Sequence, residues 1–358
     1  MNLEGLRRQI DLLDDKILEY LNKRMDLVRQ IGEAKTRSKT NIYKPEREKS
    51  IIDRLSKISK SSSGKLNKAA VEAIYQEIFA ISRNIELPEK IAYLGPEGSF
   101  THQAAESRFG AMSEYLPLAT IPSVFEAINA GRAKYGIVPL ENNQEGVVNE
   151  TIDNLGLYDL NIIAEIPLSI TFAFATTSDR VEDIHRIYSK DIAFRQCRKF
   201  LYSTFSDSNV EQIPTNSTSK AVKLALDDSQ AAAICSHIAA KTYNLPILYD
   251  NIEDSPDNFT RFLIIAQDIK NDKSGKDKTS ILARLPEGPG SLANFLQDFY
   301  HANINLTKIE SRPAKQGKKF KYYFYIDLEG HVDDDNVKSV FDRHKNNIKW
   351  LGSYVMQC

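Results

Sequence analysis

The chain has 358 residues, 42% of them hydrophobic and 27% charged, which is room for two or three compact domains and too apolar for a disordered polypeptide. Lys and Arg number 47 against 48 Asp and Glu, so no overall field attracts nucleic acid or an anionic membrane, and neither is expected as a partner. Cys197, Cys235 and Cys358 show no CxxC or Cys/His spacing. They argue against a disulfide framework and a zinc site and suit a reducing cytoplasm. No signal-peptide pattern opens the chain, and no apolar run reaches about 18 residues.

From Asn2 to about Arg37 the sequence lacks proline and reads as one helix, a rod on the order of 50 Å that a small monomeric domain cannot cover. Pro45 opens a second helix reaching about Ser59, and a third runs from about Leu66 to Ile85. The texture changes at Lys90. Short apolar runs (Ile91 to Leu94, Tyr135 to Val138, Ile170 to Phe174, Ala231 to Ile234, Phe262 to Ile265) alternate with helical stretches, as in an α/β domain of two lobes around a cleft. Residues 267–278 are polar and read as a linker. Beyond it, strands at about 279–285, 304–311, 321–328 and 348–356 and helices at 290–301 and 334–345 give the order βαββαβ, a ferredoxin-like α+β domain.

The first helix carries charges where apolar residues belong. Its heptad seam runs Leu3, Arg7, Ile10, Asp14, Ile17, Leu21, Arg24, Val28, Ile31 and Lys35, and four of these ten positions are charged. An unpaired buried charge is strongly unfavourable, so these residues either form rim ion pairs, as Asp14 can, or line a cavity for an anion. Arg47-Glu48 at the start of the second helix, and Ser82 and Glu86 one turn apart on the third, favour a small dianion.

On this pattern of Arg7, Arg24, Lys35, Arg47, Glu48, Ser82 and Glu86, residues 1–88 resemble the all-helical chorismate mutase domain. The resemblance implies two interlocked chains, with Arg7 reaching the partner's site. Arginine forks would hold the two carboxylates of chorismate, Lys35 would donate to the ether oxygen opposite Glu86, and Glu48 would reach the ring hydroxyl. Glu86 stands where many relatives have Gln, and a carboxyl donates a hydrogen bond only when protonated. Mutase activity is therefore expected to fall as pH rises through neutrality, with Glu86→Gln flattening the profile. Lys44 is a further departure, from a common Asp.

Three polar turns stand at predicted strand ends: Gly95-Pro96-Glu97-Gly98-Ser99-Phe100-Thr101, Glu141-Asn142-Asn143-Gln144-Glu145-Gly146 and Asp257-Asn258-Phe259-Thr260-Arg261-Phe262. Each alone is an ordinary loop, but three converging on one cleft suggest a site. The set resembles prephenate dehydratase over residues 90–267, with a periplasmic-binding-protein-like two-lobed fold. The resemblance implies that Thr260 is the catalytic hydroxyl, that Arg261 with Phe262 beside it binds the anion, and that Glu141, Asn142 and Gln196 orient prephenate. Asn143 replaces a common Ser or Thr, and Lys190-Asp191-Ile192 replaces His-Pro-Gln. His102 is expected to be structural.

Gly288-Pro289-Gly290-Ser291-Leu292 and Glu310-Ser311-Arg312-Pro313, in βαββαβ order, resemble the ACT regulatory domain over residues 278–358. That implies a phenylalanine site formed between two chains by Gly290, Ser291, Leu292, Glu310, Ser311, Arg312 and Pro313, and feedback inhibition. The resemblances together imply a multidomain enzyme needing no cofactor or metal, acting on chorismate and prephenate as a homodimer or dimer of dimers. Two readings stand beside it: a non-catalytic amino-acid sensor, and an enzyme retaining one of the two activities.

Overall fold

The computed structural model describes residues 3–38, 43–61, 64–86, 89–206, 209–314 and 321–357; Cys358 lies outside them. The chain divides into two compact units, one of Met1–Glu89 with Arg108–Glu114, the other of Lys90–Ser107 with Tyr115–Cys358.

The first unit is helical. α1 (Leu3–Ser38), α2 (Pro45–Ser61) and α3 (Lys68–Glu86) form as expected, α2 starting on a proline whose missing N–H costs nothing in the first turn. α3 buries Val71, Phe79 and Ala80, and α2 buries Ile52. A Cβ on Gly32 would lie 2.8 Å from the Glu86 carbonyl, so glycine there lets α1 lie against the end of α3. Most of α1 remains uncovered: Leu3, Ile10 and Ile17 are 65%, 56% and 55% exposed.

The second unit begins with an α/β lobe: β1 (Lys90–Leu94), α4 (Phe100–Phe109), β2 (Glu114–Leu118), α5 (Ile121–Asn129), β3 (Tyr135–Asn142), β4 (Gly146–Val147), α6 (Asn149–Leu157) and β5 (Asn161–Ser169). A second lobe follows with β6 (Ala173–Thr176), β7 (Arg186–Ser189), α7 (Asp191–Gln196), α8 (Arg198–Phe205), β8 (Glu211–Pro214), α9 (Thr218–Leu226), β9 (Ala231–Cys235), α10 (His237–Tyr243) and β10 (Ile247–Tyr249). β11 (Phe259–Ala266) then returns to the first lobe, giving sheets ordered β2-β1-β3-β11-β5 and β10-β6-β9-β7-β8. β11 lies antiparallel between β3 and β5. Its run Phe262 to Ala266 is buried, as a central strand demands. The strand expected over 170–174 begins at Ala173, because Ile170 and Phe172 belong to the crossing between lobes, where their backbone N–H groups bond Asn258 O and the Glu253 carboxylate.

The C-terminal domain comprises β12 (Asp277–Ala283), α11 (Ser291–His301), β13 (Leu306–Ala314), β14 (Lys321–Glu329), α12 (Asp335–Arg343) and β15 (Ile348–Val355). Its sheet order β13-β14-β12-β15 is the ferredoxin-like one. Ile281, Ile326 and Leu328 pack under Phe295 and Phe299 of α11 and Val337 and Val340 of α12. Leu282, Tyr325, Leu351 and Tyr354 on the other face join the core of the first lobe. This sheet is covered on both faces, hence seven consecutive buried residues in β12. Gly352 is required at the junction, since a Cβ there would stand 2.0 Å from Ile162 O. The linker expected over 267–278 is no free tether: Asn271 donates to Ile163 O (2.7 Å) and Ser353 O (2.9 Å), and Lys270 and Lys273 pair with Asp333 and Asp334. No described helix is long and apolar enough to cross a membrane.

Candidate functional site

In the helical unit, Lys35 Nζ donates to Glu86 Oε2 at 2.7 Å, and Arg24 Nη1 donates to Ser82 Oγ. The seam charges of α1 thus meet the two polar residues that α3 presents one turn apart. Burial lowers the pKa of Arg24, opposed by Tyr75, Glu86 and Glu48, which shows a guanidinium partly withdrawn from water. Arg47 is exposed on the first turn of α2. Glu48 instead turns to Arg83, a residue the sequence reading missed. Arg83 also donates to Arg108 O, and its guanidinium lies 5.4 Å over the Tyr43 ring and 5.5 Å over Phe109. Glu48 Oε2 is buried with no hydrogen-bond partner among the described residues, an acceptor facing inward. Arg7 is exposed, 17 residues or about 25 Å along α1 from Arg24, too far to join that cluster in the same chain.

At the boundary between the lobes, where the cleft is expected, a chain of amides ends on a hydroxyl. Asn142 Nδ2 donates to Thr260 Oγ1 (2.9 Å) and Asn258 Oδ1 (2.8 Å). Asn258 Nδ2 donates to Gln196 Oε1 (3.1 Å), and Gln196 Nε2 to Gln144 Oε1 (3.2 Å). Strand pairing sets Thr260 opposite Asn142, and α7 of the second lobe delivers Gln196 from its last position. Asn143 stitches two of the polar turns, donating to Asp257 O (2.5 Å) and accepting from Phe259 N (3.0 Å). Its amide offers both functions, where a hydroxyl would reach less far. The Lys190-Asp191-Ile192 departure forms the start of α7. Asn258, 2% exposed, and Gln144 were not anticipated, although both lie in the singled-out turns.

Several expectations change here. The Gly95 turn docks elsewhere: Ser236 Oγ donates to Gly98 O, and a Cβ on Gly98 would meet Ala239 and Ser219 of the second lobe. His102 is structural as expected, accepting from Gly98 N (3.2 Å) and stacking on Tyr93, its pKa lowered by burial. Phe262 is 2% exposed in the core and touches no cleft. Arg261 points away from Thr260, because successive strand residues face opposite ways. Its Nη1 donates to Glu165 (3.1 Å) and its Nη2 to Asp327 (2.7 Å). Its Nε lies 2.9 Å from Glu141 Oε1, off the N–H direction, so that contact is ionic rather than a directed hydrogen bond. Burial opposes its charge, but Asp327, Tyr325, Tyr354 and Glu141 outweigh this and hold its pKa above the ordinary arginine value. Glu141 faces the same way and also pairs with Lys308.

In the C-terminal domain, Gly290 takes a φ of 80° at the start of α11, and Ser291 and Leu292 form its first turn, half-buried. Glu310, Ser311, Arg312 and Pro313 lie on edge strand β13. Arg312 is turned to Asp153 of α6 through Nε and Nη2 at 3.1 Å, and Tyr323 joins that carboxylate at 2.7 Å. Its fork therefore faces the first lobe and not Ser291.

Comparison with known proteins matches family models in chain order: chorismate mutase type II over residues 6–87, prephenate dehydratase over 91–270 and the ACT domain over 279–344. A bifunctional chorismate mutase/prephenate dehydratase of Aquifex aeolicus is 43% identical over 357 residues, 98% of this chain and 97% of that protein. One of Pseudomonas aeruginosa is 37% identical over 362 residues, with the same coverage of 98% and 97%. Among solved structures, the prephenate dehydratase of Arthrobacter aurescens in complex with L-Phe superposes with a TM-score of 0.68 at 32% identity, covering 75% of this chain and 90% of that one.

Proposed function

The chain belongs to the bifunctional chorismate mutase/prephenate dehydratase family, and on that footing we propose that it rearranges chorismate to prephenate, converts prephenate to phenylpyruvate, and is inhibited by phenylalanine. Three domains in this order over nearly the whole length of such relatives carry the reading. They favour two activities over a non-catalytic sensor or a single retained activity. The working divisions are 1–88, 90–267 and 278–358, with the Arg108–Glu114 turn grouped with the helices.

The first reaction is pericyclic and needs positioning and charge stabilisation rather than a nucleophile. Lys35 donates to the ether oxygen as charge grows there, Glu86 stands opposite, and Glu48 Oε2 accepts from the ring hydroxyl. Arg24, fixed by Ser82, and Arg47 hold carboxylates, and Arg7 of a second copy completes the site. That copy covers the apolar face of α1, supported by the exposure of Leu3, Ile10 and Ile17 and by the separation of Arg7 from Arg24. The protein then works as a homodimer, or a dimer of dimers through the C-terminal domains, where β13 is an open edge.

In the second reaction prephenate takes up one proton and leaves as phenylpyruvate, carbon dioxide and water. Thr260, held by Asn142, supplies or relays the proton to the departing hydroxyl, while Asn142 and Gln196 orient the ring acid. Aromatisation drives loss of the carboxylate. Phenylalanine binds the C-terminal domain near Gly290, Ser291, Leu292, Glu310, Ser311 and Pro313, as the L-Phe complex of the Arthrobacter aurescens relative supports. Arg312, turned to Asp153, is left out of the proposed ligands. The compartment proposed is the cytoplasm, in keeping with free, buried Cys197 and Cys235.

The test is chromatographic. Purified protein fed chorismate should release prephenate and phenylpyruvate, and millimolar phenylalanine should suppress only the second product. Chorismate left unconsumed would remove the first activity, supplied prephenate left unchanged the second, and indifference to phenylalanine the regulation.

A further inference from the structure

The strand pair that carries Thr260 and Asn142 has a second face, and the C-terminal domain grips it. Each cleft residue has a charged neighbour in sequence, Arg261 after Thr260 and Glu141 before Asn142, paired across β11 and β3 in the same register. Alternation along a strand sends these neighbours to the opposite side. There, three ion pairs run between the first lobe and the C-terminal sheet: Arg261 with Asp327 (2.7 Å), Glu165 with Lys278 (2.8 Å), and Glu141 with Lys308. Glu165 and Asp327 have fully buried side chains, and those of Arg261 and Lys278 are 8% and 3% exposed. Ser280 donates to Asp327 (2.6 Å) and lies within hydrogen-bonding distance of the Tyr325 and Tyr354 hydroxyls, while Gln357 N donates to Glu165 (2.7 Å).

Three cations and three carboxylates so enclosed must move together. Displacing β14 alone would part the buried Asp327 from Arg261, which is strongly unfavourable, and displacing β13 alone would part Lys308 from the partly exposed Glu141. Lys308 lies on β13 two residues before Glu310, so the strand proposed to frame the effector pocket also holds Glu141.

We propose that Lys308 and Asp327 are positioning residues for the dehydratase reaction: through Glu141 and Arg261 they set the placement of Asn142 and Thr260, and Lys308, on β13, carries effector occupancy to the cleft. The second half rests on the phenylalanine reading above, and the first half does not. Arg261 is thereby a linking residue and no substrate ligand.

The experiment uses full-length protein and the variants Lys308→Met, Lys308→Arg and Asp327→Asn. Dehydratase kcat and KM for prephenate are measured with and without phenylalanine, and phenylalanine binding is measured by calorimetry. Lys308→Met should change KM for prephenate about 3- to 10-fold without effector, bind phenylalanine within about 3-fold of wild type, and yet lose most of the inhibition, with Lys308→Arg restoring it. If Asp327→Asn fails to fold, the Lys308 pair, at a half-exposed edge of the cluster, decides alone. Unchanged kinetic constants together with unchanged inhibition in Lys308→Met would overturn the proposal. Loss of phenylalanine binding itself would also overturn it, because Lys308 would then belong to the effector site. A wild-type enzyme indifferent to phenylalanine would instead remove the feedback reading, and the effector-free constants would still judge the positioning.

Discussion

The helical unit and the junction beneath the C-terminal sheet both place arginine, lysine and carboxylates where a sequence pattern expects apolar residues, and they finish the arrangement differently. At the junction every charge has an opposite partner within the chain, with Arg261, Lys278 and Lys308 balancing Glu141, Glu165 and Asp327. In the helical unit Lys35 and Arg24 have partners on α3, but Arg7 stands exposed beside an uncovered apolar stripe and Glu48 Oε2 faces inward with no hydrogen-bond partner among the described residues. A closed cluster marks structure and transmission. The unfinished one is where the proposed substrate and second subunit would supply the missing partners.

Breaking each arrangement should separate these roles. The largest effect is expected from Thr260→Val, which removes the hydroxyl that Asn142 holds and should lower phenylpyruvate formation from supplied prephenate about 10²- to 10⁴-fold. Chorismate consumption by the same variant should stay at the wild-type level. Lys35→Met should do the reverse, reducing prephenate formation by about 10²- to 10³-fold with dehydratase rates on added prephenate intact. A loss of both activities in either variant would mean that the two sites are not independent.

The contrast in closure can be measured as stability. Glu165→Gln leaves Lys278 and Arg261 short of a buried anion and should cost about 3–5 kcal/mol in urea unfolding of the second unit. Glu19→Gln, which breaks the exposed pair with Lys23 on α1, should cost no more than about 0.5 kcal/mol. Similar losses for the two would erase the distinction. The smallest effect concerns the thiols. Burial pushes Cys235 up to about 12 and raises Cys197 as well, so both remain protonated at pH 8. Peptide mapping should find neither alkylated by iodoacetamide until denaturant is added.

Much of this was legible in the primary structure because it rests on local periodicity. The seam of α1, the βαββαβ order and the turns around Asn142 and Thr260 each follow from patterns a few residues long. Asn258 and Gln144 lay inside segments already singled out, and only their mutual hydrogen bonds were hidden. Glu165, Asp327 and Lys278 left a signal that could have been read, a lone charge within the apolar strands IIAEIP, YFYIDL and KTSILA. Arg83 left none, because a cation near the end of a helix is usually solvated.

Helix and strand identity, domain order and the residue types available for anion chemistry were determined by the amino-acid sequence, since each depends on neighbours within a turn or a pleat. Tertiary structure alone decided which way the charges of adjacent residues point. Thr260 and Arg261 are consecutive, yet one meets the cleft and the other meets Asp327, 66 residues away. The covering of both faces of the C-terminal sheet, which makes that contact possible, is a property of long-range packing that no local pattern encodes.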